Sequence, residues 1–242
     1  MHWLSRFIED VRVITPIAGR TLVADQLPSG RTSLAIREIE AREGDAWVFG
    51  PRTRALLKTT TGGCVRTIIL SFRPGWSFPL LGVASNTLTD RLVPLEDIWG
   101  DRGLCTDLAA ARGVDETLDR LARAISSRDT TEPATASLAR RAIRLFEAGE
   151  TGVAHVATQL GVTARHLHRA FVHNVGIGPK EFARSIRLQR AIRLNATSDD
   201  WSRIAIDAGY YDQAHMIAEF RDLVGLTPGA YTKRARASLR AA

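Results

Sequence analysis

Three side chains suited to reading a base pair lie close together near residue 165. Arg165, His168 and Arg169 occupy positions i, i+3 and i+4, a spacing that places side chains on one face of an α-helix. Val172 follows on the same face one turn later. Arginine pairs with O6 and N7 of guanine in the major groove, and valine contacts the thymine methyl group. These residues indicate either a DNA-reading face or an ordinary solvated basic surface.

A face of this kind requires a helix whose opposite side is buried, and the neighbouring residues predict one. Leu167, Ala170 and Phe171 are apolar and fall on the opposite side of the same helix. A short helix precedes it, and the small Ala157 allows the two helices to cross closely. The buried stripe of that short helix consists of Val153, Val156, Ala157 and Leu160.

Turn and cap residues mark the ends of both helices. Gly161 can take the left-handed conformation that ends the short helix, and Thr163 is a good N-cap for the second one. Gly176 ends the second helix, and Pro179 suits the first position of the next, where no N–H is needed. The segment therefore predicts a helix, a tight turn and a helix, the arrangement of a DNA-binding unit.

The same pattern occurs a second time, about 49 residues further along the chain. The second copy has Ile204, Ala205 and Ala208 as packing residues, Gly209 and Tyr210 in the turn, Asp212 as N-cap, Met216 and Phe220 in the core, and Gly225 and Pro228 at the end. Between the copies, Lys180–Leu194 predicts one long helix that holds the two units at a fixed separation. Its arginines are Arg184, Arg187, Arg190 and Arg193, and its buried residues are Phe182, Ile186 and Ile192.

The outward positions of the second copy are chemically weaker. Ala214, Ile217 and Ala218 carry no charge, whereas Gln213 and His215 near the helix start can contact a base edge or a phosphate. We therefore expect the first unit to supply most sequence specificity and the second to position the protein through backbone contacts. Ile217 is expected to be exposed, which fits a thymine methyl contact, a partner surface or no function.

Positive charge is concentrated in the part of the chain that holds the repeat. Residues 1–136 contain 17 Lys and Arg against 17 Asp and Glu, whereas residues 137–242 contain 16 against 9. The net charge of +7 therefore falls entirely in the C-terminal part. This asymmetry favours a polyanionic partner for that part, although a solvated basic surface has the same composition.

Other chemistry finds little support in the sequence. Cys64 and Cys105 are the only cysteines, and their separation matches no zinc motif, so two reduced thiols are expected. No catalytic triad, phosphate loop or metal-ligand cluster stands out. We find no signal-peptide pattern and no apolar run long enough to span a bilayer, and we expect a soluble cytoplasmic protein that is not an enzyme and has no cofactor.

The N-terminal part predicts an antiparallel sheet or a small barrel. Short runs rich in β-branched and aromatic residues occur at Arg31–Ile39, Ala46–Phe49 and Val65–Phe72, and turn residues separate them. From about Thr106 the period becomes helical. An apolar stripe (Val114, Leu118, Leu121 and Ile125) then packs on the sheet or forms a dimer seam.

The expected fold class is α+β, with a sheet domain flanked by helices followed by an all-α domain of two helix-turn-helix units. Ser126–Ala136 is polar, contains Pro133 and lacks a period, so we interpret it as a linker. The predicted domains are residues 1–125, a linker at 126–136, and a DNA-binding domain at 137–236.

Aromatic residues of the N-terminal part are candidates for an effector pocket. Trp47, Phe49, Trp76, Phe78 and Trp99 either line such a pocket or form core. Arg52, Arg54 and Arg73 either bind an anionic effector or pair with surface carboxylates. Composition does not decide between these alternatives.

The repeat resembles the AraC/XylS family of bacterial transcription regulators. The likeness spans Ser137–Arg236 and rests on Ala157–Gly161, Thr163–Phe171, Gly176–Pro179, Gly209–His215, Phe220, Gly225 and Pro228. It implies a seven-helix domain that reads two adjacent major grooves, with the outward residues at the family's base-contacting positions. Ala218 departs from the family, which often has a polar or basic residue there. Residues 1–125 look like sensor domains of some such regulators, without motifs of an arabinose-type sugar pocket.

The resemblance implies a sequence-specific transcriptional regulator. Candidate partners are double-stranded DNA through its major groove, a small-molecule effector, RNA polymerase and, through the N-terminal domain, a second copy of the chain. Two alternatives stay open. An alkylation-repair protein that transfers methyl groups needs a zinc-activated set of four cysteines, which two distant cysteines do not supply. An architectural DNA binder has no sequence preference, which the set of outward residues argues against.

Overall fold

A computed structural model describes residues 3–15, 21–23, 25–39, 44–57, 59–61, 64–128, 131–150 and 152–241. The expected α+β class is confirmed, because strands fill the first part of the chain and helices the rest. The strands are β1 (Ile8–Ile14), β2 (Thr21–Val23), β3 (Ser33–Ile39), β4 (Gly44–Phe49), β5 (Thr59–Thr61), β6 (Cys64–Phe72) and β7 (Leu92–Pro94). The three runs predicted as strands correspond to β3, β4 and β6.

The N-terminal sheet is antiparallel and has five strands in the order β1-β6-β3-β4-β7, while β2 and β5 form a separate two-stranded sheet. Side chains alternate between the two faces of the large sheet. On β4, Ala46 and Val48 are buried in the domain core, whereas Trp47 and Phe49 lie on the opposite face and are half-buried. The core face is therefore the one that the flanking helices cover.

Four helices follow or interrupt these strands: α1 (Phe78–Leu81), α2 (Leu95–Trp99), α3 (Arg102–Ala109) and α4 (Val114–Ser126). The expected start of helical structure near Thr106 is therefore too late. Helices α1 and α2 contain four and five residues, too few for a periodic apolar stripe to be visible in a sequence. The stripe of α4 packs into the core of the sheet domain, with Leu121 and Ile125 buried, so it is not a free dimer seam.

The described residues from Ala136 onward form seven helices, as the family resemblance implied. They are α5 (Ala136–Glu147), α6 (Val153–Gln159), α7 (Ala164–Val175), α8 (Pro179–Asn195), α9 (Trp201–Ala208), α10 (Gln213–Val224) and α11 (Pro228–Ala241). Helices α6 and α7 form the first helix-turn-helix unit, α9 and α10 form the second, and α8 connects them. On α8, Phe182 is buried, while Ile186 and Ile192 are only half-buried.

Each unit has a core of its own. The first is built around Phe171, whose ring packs edge-to-face on Phe146 at 5.7 Å and on Phe182 at 5.4 Å between ring centroids. The second contains Met216 and Tyr210, which pack with Ala205 and other apolar residues of α8 and α9. A further cluster packs Phe220 and Leu223 of α10 on Leu188 of α8. These cores and the long helix α8 together fix the orientation of α7 and α10.

Candidate nucleic-acid interface

The first unit presents the predicted basic face on helix α7. The Thr163 hydroxyl caps this helix by accepting a hydrogen bond from the His166 amide at 3.1 Å, and Gly176 ends it in the left-handed region with φ 86°. Leu167 and Phe171 are fully buried. A helix capped and buried in this way has one orientation, so its remaining side must face solvent.

Arg165, His168 and Arg169 are exposed on that remaining side, and Val172 beside them is half-buried. Within the described parts of the chain, neither Arg165 nor Arg169 forms an ion pair with a carboxylate. Two uncommitted guanidinium groups one turn apart form a surface that phosphate oxygens or guanine edges can satisfy. The sequence placed these four residues together, and the structure does so too.

Helix α10 of the second unit has the same frame with different chemistry. The Asp212 carboxylate caps it by accepting from the His215 amide at 2.7 Å, and Gly209 and Gly225 are left-handed, with φ 91° and 75°. Ala214 and Ala218 are exposed, as expected. The expectation that Ile217 stands exposed is wrong in degree, because this side chain is half-buried.

Gln213 and His215 lie at the start of α10, as predicted, and both already have partners within the unit. The Gln213 side-chain oxygen accepts a hydrogen bond from the Ser202 hydroxyl at 2.9 Å. The His215 ring packs edge-on against Tyr210 at 5.5 Å between centroids, and its Nδ1 accepts from the Tyr211 amide at 3.4 Å. Both side chains are exposed, so they can also face a ligand.

A buried carboxylate on α10 was missed by the sequence reasoning. Glu219 is 8% exposed and accepts hydrogen bonds from Arg184 at 3.0 Å and from Arg187 at 2.6 Å. Arg184 also binds Asp222 at 2.6 Å, and this hydrogen bond holds the pKa of the Asp222 carboxyl below its ordinary value. Two of the four arginines of α8 are thus engaged with α10. The visible signal was Glu219 and Asp222 at i, i+3, which places them on one helix face.

Arg221 is a second residue that the sequence reasoning missed. It is exposed in the last turn of α10, at the position that Val172 holds in the first unit. A 49-residue offset applied one step further would have found it. The second unit therefore has one exposed cation near the end of its outward face rather than none.

The N-terminal domain packs directly on the end of α7. The Ser85 hydroxyl donates to the Asn174 carbonyl at 2.8 Å, and the Thr89 hydroxyl donates to the Gly176 carbonyl at 2.5 Å. A Cβ added at Gly176 would lie 2.7 Å from Pro51. These carbonyls at the helix C-terminus need external donors, because the helix itself offers none.

A second set of contacts joins residues of the N-terminal part to the second unit and to its connecting helix α8. The Ala55 amide donates to the Leu223 carbonyl at 2.7 Å, and Arg54 pairs with Asp222 at 2.9 Å. Gln189 on α8 donates to the Pro28 carbonyl at 2.9 Å. The N-terminal part therefore contacts both helix-turn-helix units.

Four of the five aromatic candidates for an effector pocket do not converge in one place. Trp47 and Phe49 share the sheet face opposite the core, and the Arg37 guanidinium lies 5.8 Å from the centre of the Trp47 ring. Trp76 packs against the core on the other face, with the Arg140 guanidinium 3.9 Å above its ring. Phe78 stacks on His173 of α7 at 6.2 Å.

The remaining side chains considered for an effector are mostly accounted for. Trp99 is buried in the core, and the Arg128 guanidinium lies 4.9 Å from the centre of its ring. Arg52 pairs with Asp90 at 3.6 Å.

Cys105 is a buried free thiol, and burial raises its pKa to about 11. The Cys64 side chain lies outside the described residues.

Two further features of the described residues bear on other functions. None of the described helices is long and apolar enough to cross a membrane. Nor does any group of three or more His, Cys, Asp or Glu side chains among the described residues lie in a metal-binding arrangement.

Comparison with known proteins locates a domain family in the C-terminal region. Residues 156–234 match the family model of a helix-turn-helix domain. Two relatives from Mycobacterium tuberculosis, strains CDC 1551 / Oshkosh and H37Rv, are each named "Probable bifunctional transcriptional activator/DNA repair enzyme AlkA" and are 36% identical to this chain over 110 residues. The match covers 42% of this chain and 21% of each relative, so the chain spans about a fifth of their length.

Solved structures of ToxT from Vibrio cholerae are also similar. One has 12% identity and a TM-score of 0.49, with 92% of this chain and 97% of that chain covered. Another, bound to (E)-4-(8-methylnaphthalen-1-yl)but-3-enoic acid, has 13% identity and a TM-score of 0.47, with 92% and 97% covered. At TM-scores below 0.5 the likeness is too loose to equate residues or ligands.

Proposed function

Because the C-terminal region of this chain is a helix-turn-helix domain of the AraC type, we propose that the protein is a transcription regulator that binds a specific DNA sequence. The first unit reads bases in the major groove, and the second unit mainly holds the phosphate backbone. RNA polymerase, a small-molecule effector and a second copy of the chain complete the proposed set of partners. The place of action is then the cytoplasm of a bacterium.

The observation that carries this proposal is the uncommitted basic face of α7. Arg165 and Arg169 are exposed and lack carboxylate partners among the described residues, whereas the arginines at the α8–α10 contact are paired with Glu219 and Asp222. Solvated basic surfaces of helical proteins commonly carry compensating acidic residues. A cationic face kept free inside a helix-turn-helix frame supports direct base contact.

Selection of bound duplexes from a random DNA library by the full chain tests this function. We expect an enriched motif whose strong positions lie within about one helical turn, where the first unit reads bases, and at most weak preferences in the next major groove, about 34 Å away, where the second unit holds the backbone. Equally strong positions in both turns would contradict the assignment of base reading mainly to the first unit. Absence of any enriched motif would contradict the proposal and favour an architectural binder.

The proposed role of the second unit rests on its weaker outward chemistry. Ala214 and Ala218 occupy the positions of Arg165 and Arg169 and offer no hydrogen bond to a base edge. Its backbone N–H groups at the start of α10 and the exposed Arg221 remain available for phosphates. Gln213 and His215 are the side chains of this unit that we keep as candidate base or phosphate contacts.

We further propose that the N-terminal domain regulates DNA binding through its contacts with α7. Ser85 and Thr89 donate to carbonyls at the end of α7, so a change in their position alters the placement of the reading helix. Among the aromatic candidates, Trp47 and Phe49 stay proposed effector contacts, because they are half-buried on the sheet face away from the core.

A double variant, Ser85→Ala with Thr89→Val, tests the regulatory contact. We expect the DNA affinity of the full chain to change by about fivefold or more, the usual lower end of coupling between sites. Thr106→Val is the matched control, because its hydroxyl donates within α3, away from α7. An unchanged affinity in a double variant that retains its circular dichroism spectrum would contradict a regulatory role for this contact.

A further inference from the structure

The two outer edges of the five-stranded sheet are built differently. Strand β7 at one edge has three residues and ends in Pro94, features that blunt an edge against further pairing. Strand β1 at the other edge has seven residues, Ile8–Ile14, and contains no proline. No strand in the described parts of the chain pairs with the outer side of β1.

A bulge in β1 turns two apolar side chains toward the core face of the sheet. Ile8 pairs with Phe72, the register then shifts before Asp10, and Val11 and Val13 pair with Leu70 and Ile68. Leu70 and Ile68 are 0% and 2% exposed, whereas Val11 and Val13 are 37% and 50% exposed. The apolar face of the sheet therefore extends to the open edge strand β1, where Val11 and Val13 are exposed to solvent.

The opposite face of β1 carries two charges of opposite sign. Asp10 and Arg12 are exposed and form an ion pair at 3.1 Å. The acidic residue lies one position before Val11 and the basic residue one position after it. A strand with this pattern is complementary to a second, antiparallel copy of itself, because each Asp10 then faces an Arg12.

We propose that β1 pairs with β1 of a second copy of this chain, about a two-fold axis at Val11. In this register Val11 lies opposite Val11 of the other copy, and Asp10 lies opposite Arg12 on each side of the axis. Two neighbouring registers keep the side chains on their faces. One is centred on Arg12 and places two arginines opposite each other, and the other is centred on Asp10 and places two aspartates opposite each other. Charge therefore selects the register centred on Val11.

The proposed dimer joins two five-stranded sheets into one continuous sheet and satisfies the open backbone groups of both edges. It also relates the two DNA-binding regions by a two-fold axis, as is usual for DNA-binding dimers on palindromic sites. This consequence for DNA rests on the proposed function, whereas the pairing of the strands does not.

Charge reversal tests the pairing in the full-length protein. Asp10→Arg alone, or Arg12→Asp alone, converts both attractive pairs across the axis into repulsive ones, so we expect the dimer dissociation constant to rise by about tenfold or more. The double variant D10R/R12D restores opposite charges and should return to within about threefold of the original value. Analytical ultracentrifugation over a wide concentration range measures each constant. Asp97→Arg, an exposed site on α2 near the other edge, is the control and should leave dimerisation unchanged.

Three results would overturn the proposal. They are a chain that stays monomeric at all concentrations, a dimer insensitive to the single reversals, and single variants that the double variant does not rescue. Each of these leaves the DNA library selection unaffected, because one copy carries both reading units. Failure of the dimer is therefore distinguishable from failure of the proposed function.

Cysteine cross-linking tests the register independently. Opposite residues of antiparallel strands have Cα atoms about 4.5–5.5 Å apart, within the range for a disulfide. Val11→Cys should therefore form an intermolecular disulfide with its copy under mild oxidation. In the same register Val13 is about 13 Å from its own copy, four residues away along the strand, so Val13→Cys should cross-link no faster than the unmodified chain. Equal rates for the two variants would contradict the register.

Discussion

The two helix-turn-helix units share one backbone frame and differ in what they place on it. Helices α7 and α10 each have a side-chain N-cap, Thr163 and Asp212, and each ends at a left-handed glycine. At the positions that face outward, the first unit has Arg165 and Arg169 where the second has Ala214 and Ala218. Caps and core residues therefore define the fold of a unit, while the solvent face is free to set its chemistry.

The inward faces also differ at one position. Ala170 is buried in the first unit, and Glu219 takes the equivalent place in the second, where it binds Arg184 and Arg187. A buried carboxylate with two guanidinium partners orients α10 on α8 more specifically than apolar packing does. The arginines of α7 in the first unit are exposed to solvent, whereas the second unit is held to its connecting helix by the arginines of α8 that bind Glu219.

The largest effect is expected where the two units are alike. Phe171→Ala and Phe220→Ala each remove a fully buried ring and should lower the free energy of unfolding by about 3–5 kcal/mol. Urea unfolding followed by circular dichroism measures both. Leu92→Ala, at a site 41% exposed on β7, is the control and should cost much less. An unchanged urea midpoint for one phenylalanine variant would mean that its unit lacks the core described above.

The buried carboxylate of Glu219 should give the next largest loss of stability, and only the second unit has such a residue. Glu219→Gln keeps the shape and removes the charge, which weakens two charge-assisted hydrogen bonds, so we expect a loss of about 1.5–3 kcal/mol in stability. Thermal unfolding of the full chain measures it. Asp207→Asn, on the exposed i, i+4 pair with Arg203 of α9, is the control and should have little effect. Equal losses of stability in both variants would contradict a specific role for Glu219 in orienting α10.

The next prediction distinguishes the two units by their DNA affinity rather than by their stability. Arg169→Ala should weaken binding to the selected DNA by about 1–3 kcal/mol and relax the preference at one base pair. Ala218→Arg, the equivalent position in the second unit, should strengthen binding. Titration of fluorescent duplexes measures both, with Arg144→Ala on α5 as an exposed control. Equal weakening by Arg169→Ala on all sequences would make Arg169 a phosphate contact instead.

The smallest effect concerns the caps. Thr163→Ala and Asp212→Ala each remove the acceptor for a backbone N–H and should cost about 1 kcal/mol in stability. Only the second also removes a negative charge beside the proposed phosphate contacts, so it alone should raise DNA affinity at low salt. Thermal melting and salt-dependent titration measure the two quantities. An identical DNA response would imply that the start of α10 lies away from the phosphate backbone.

The repeat made the C-terminal region predictable, because caps and apolar spacing act within a few residues. Thr163, Gly176 and Pro179 each have the role that local physical chemistry assigns to them. The helix-turn-helix identity of this region is confirmed by the matched family model. The base contacts themselves stay predictions.

Features that depend on long-range packing were not visible in the sequence. The pairing of Glu219 with Arg184 spans 35 residues, and the hydrogen bond from Ser85 to Asn174 spans 89, so no local pattern identifies the partner in either case. In the N-terminal part, alternation indicated which side chains share a face. It did not tell which face the helices cover, and it does not apply to Trp76, which lies in the turn after β6.

The hydrogen bonds from Ser85 and Thr89 to the end of α7 have a thermodynamic consequence for the whole molecule. Under the proposed regulation, a molecule that binds the N-terminal part and displaces these donors would change the free energy of DNA binding. Reciprocity then requires that the matching DNA change the affinity for that molecule by the same factor. The operator itself would act as an effector of the sensor, so the two ligands would have to be measured together.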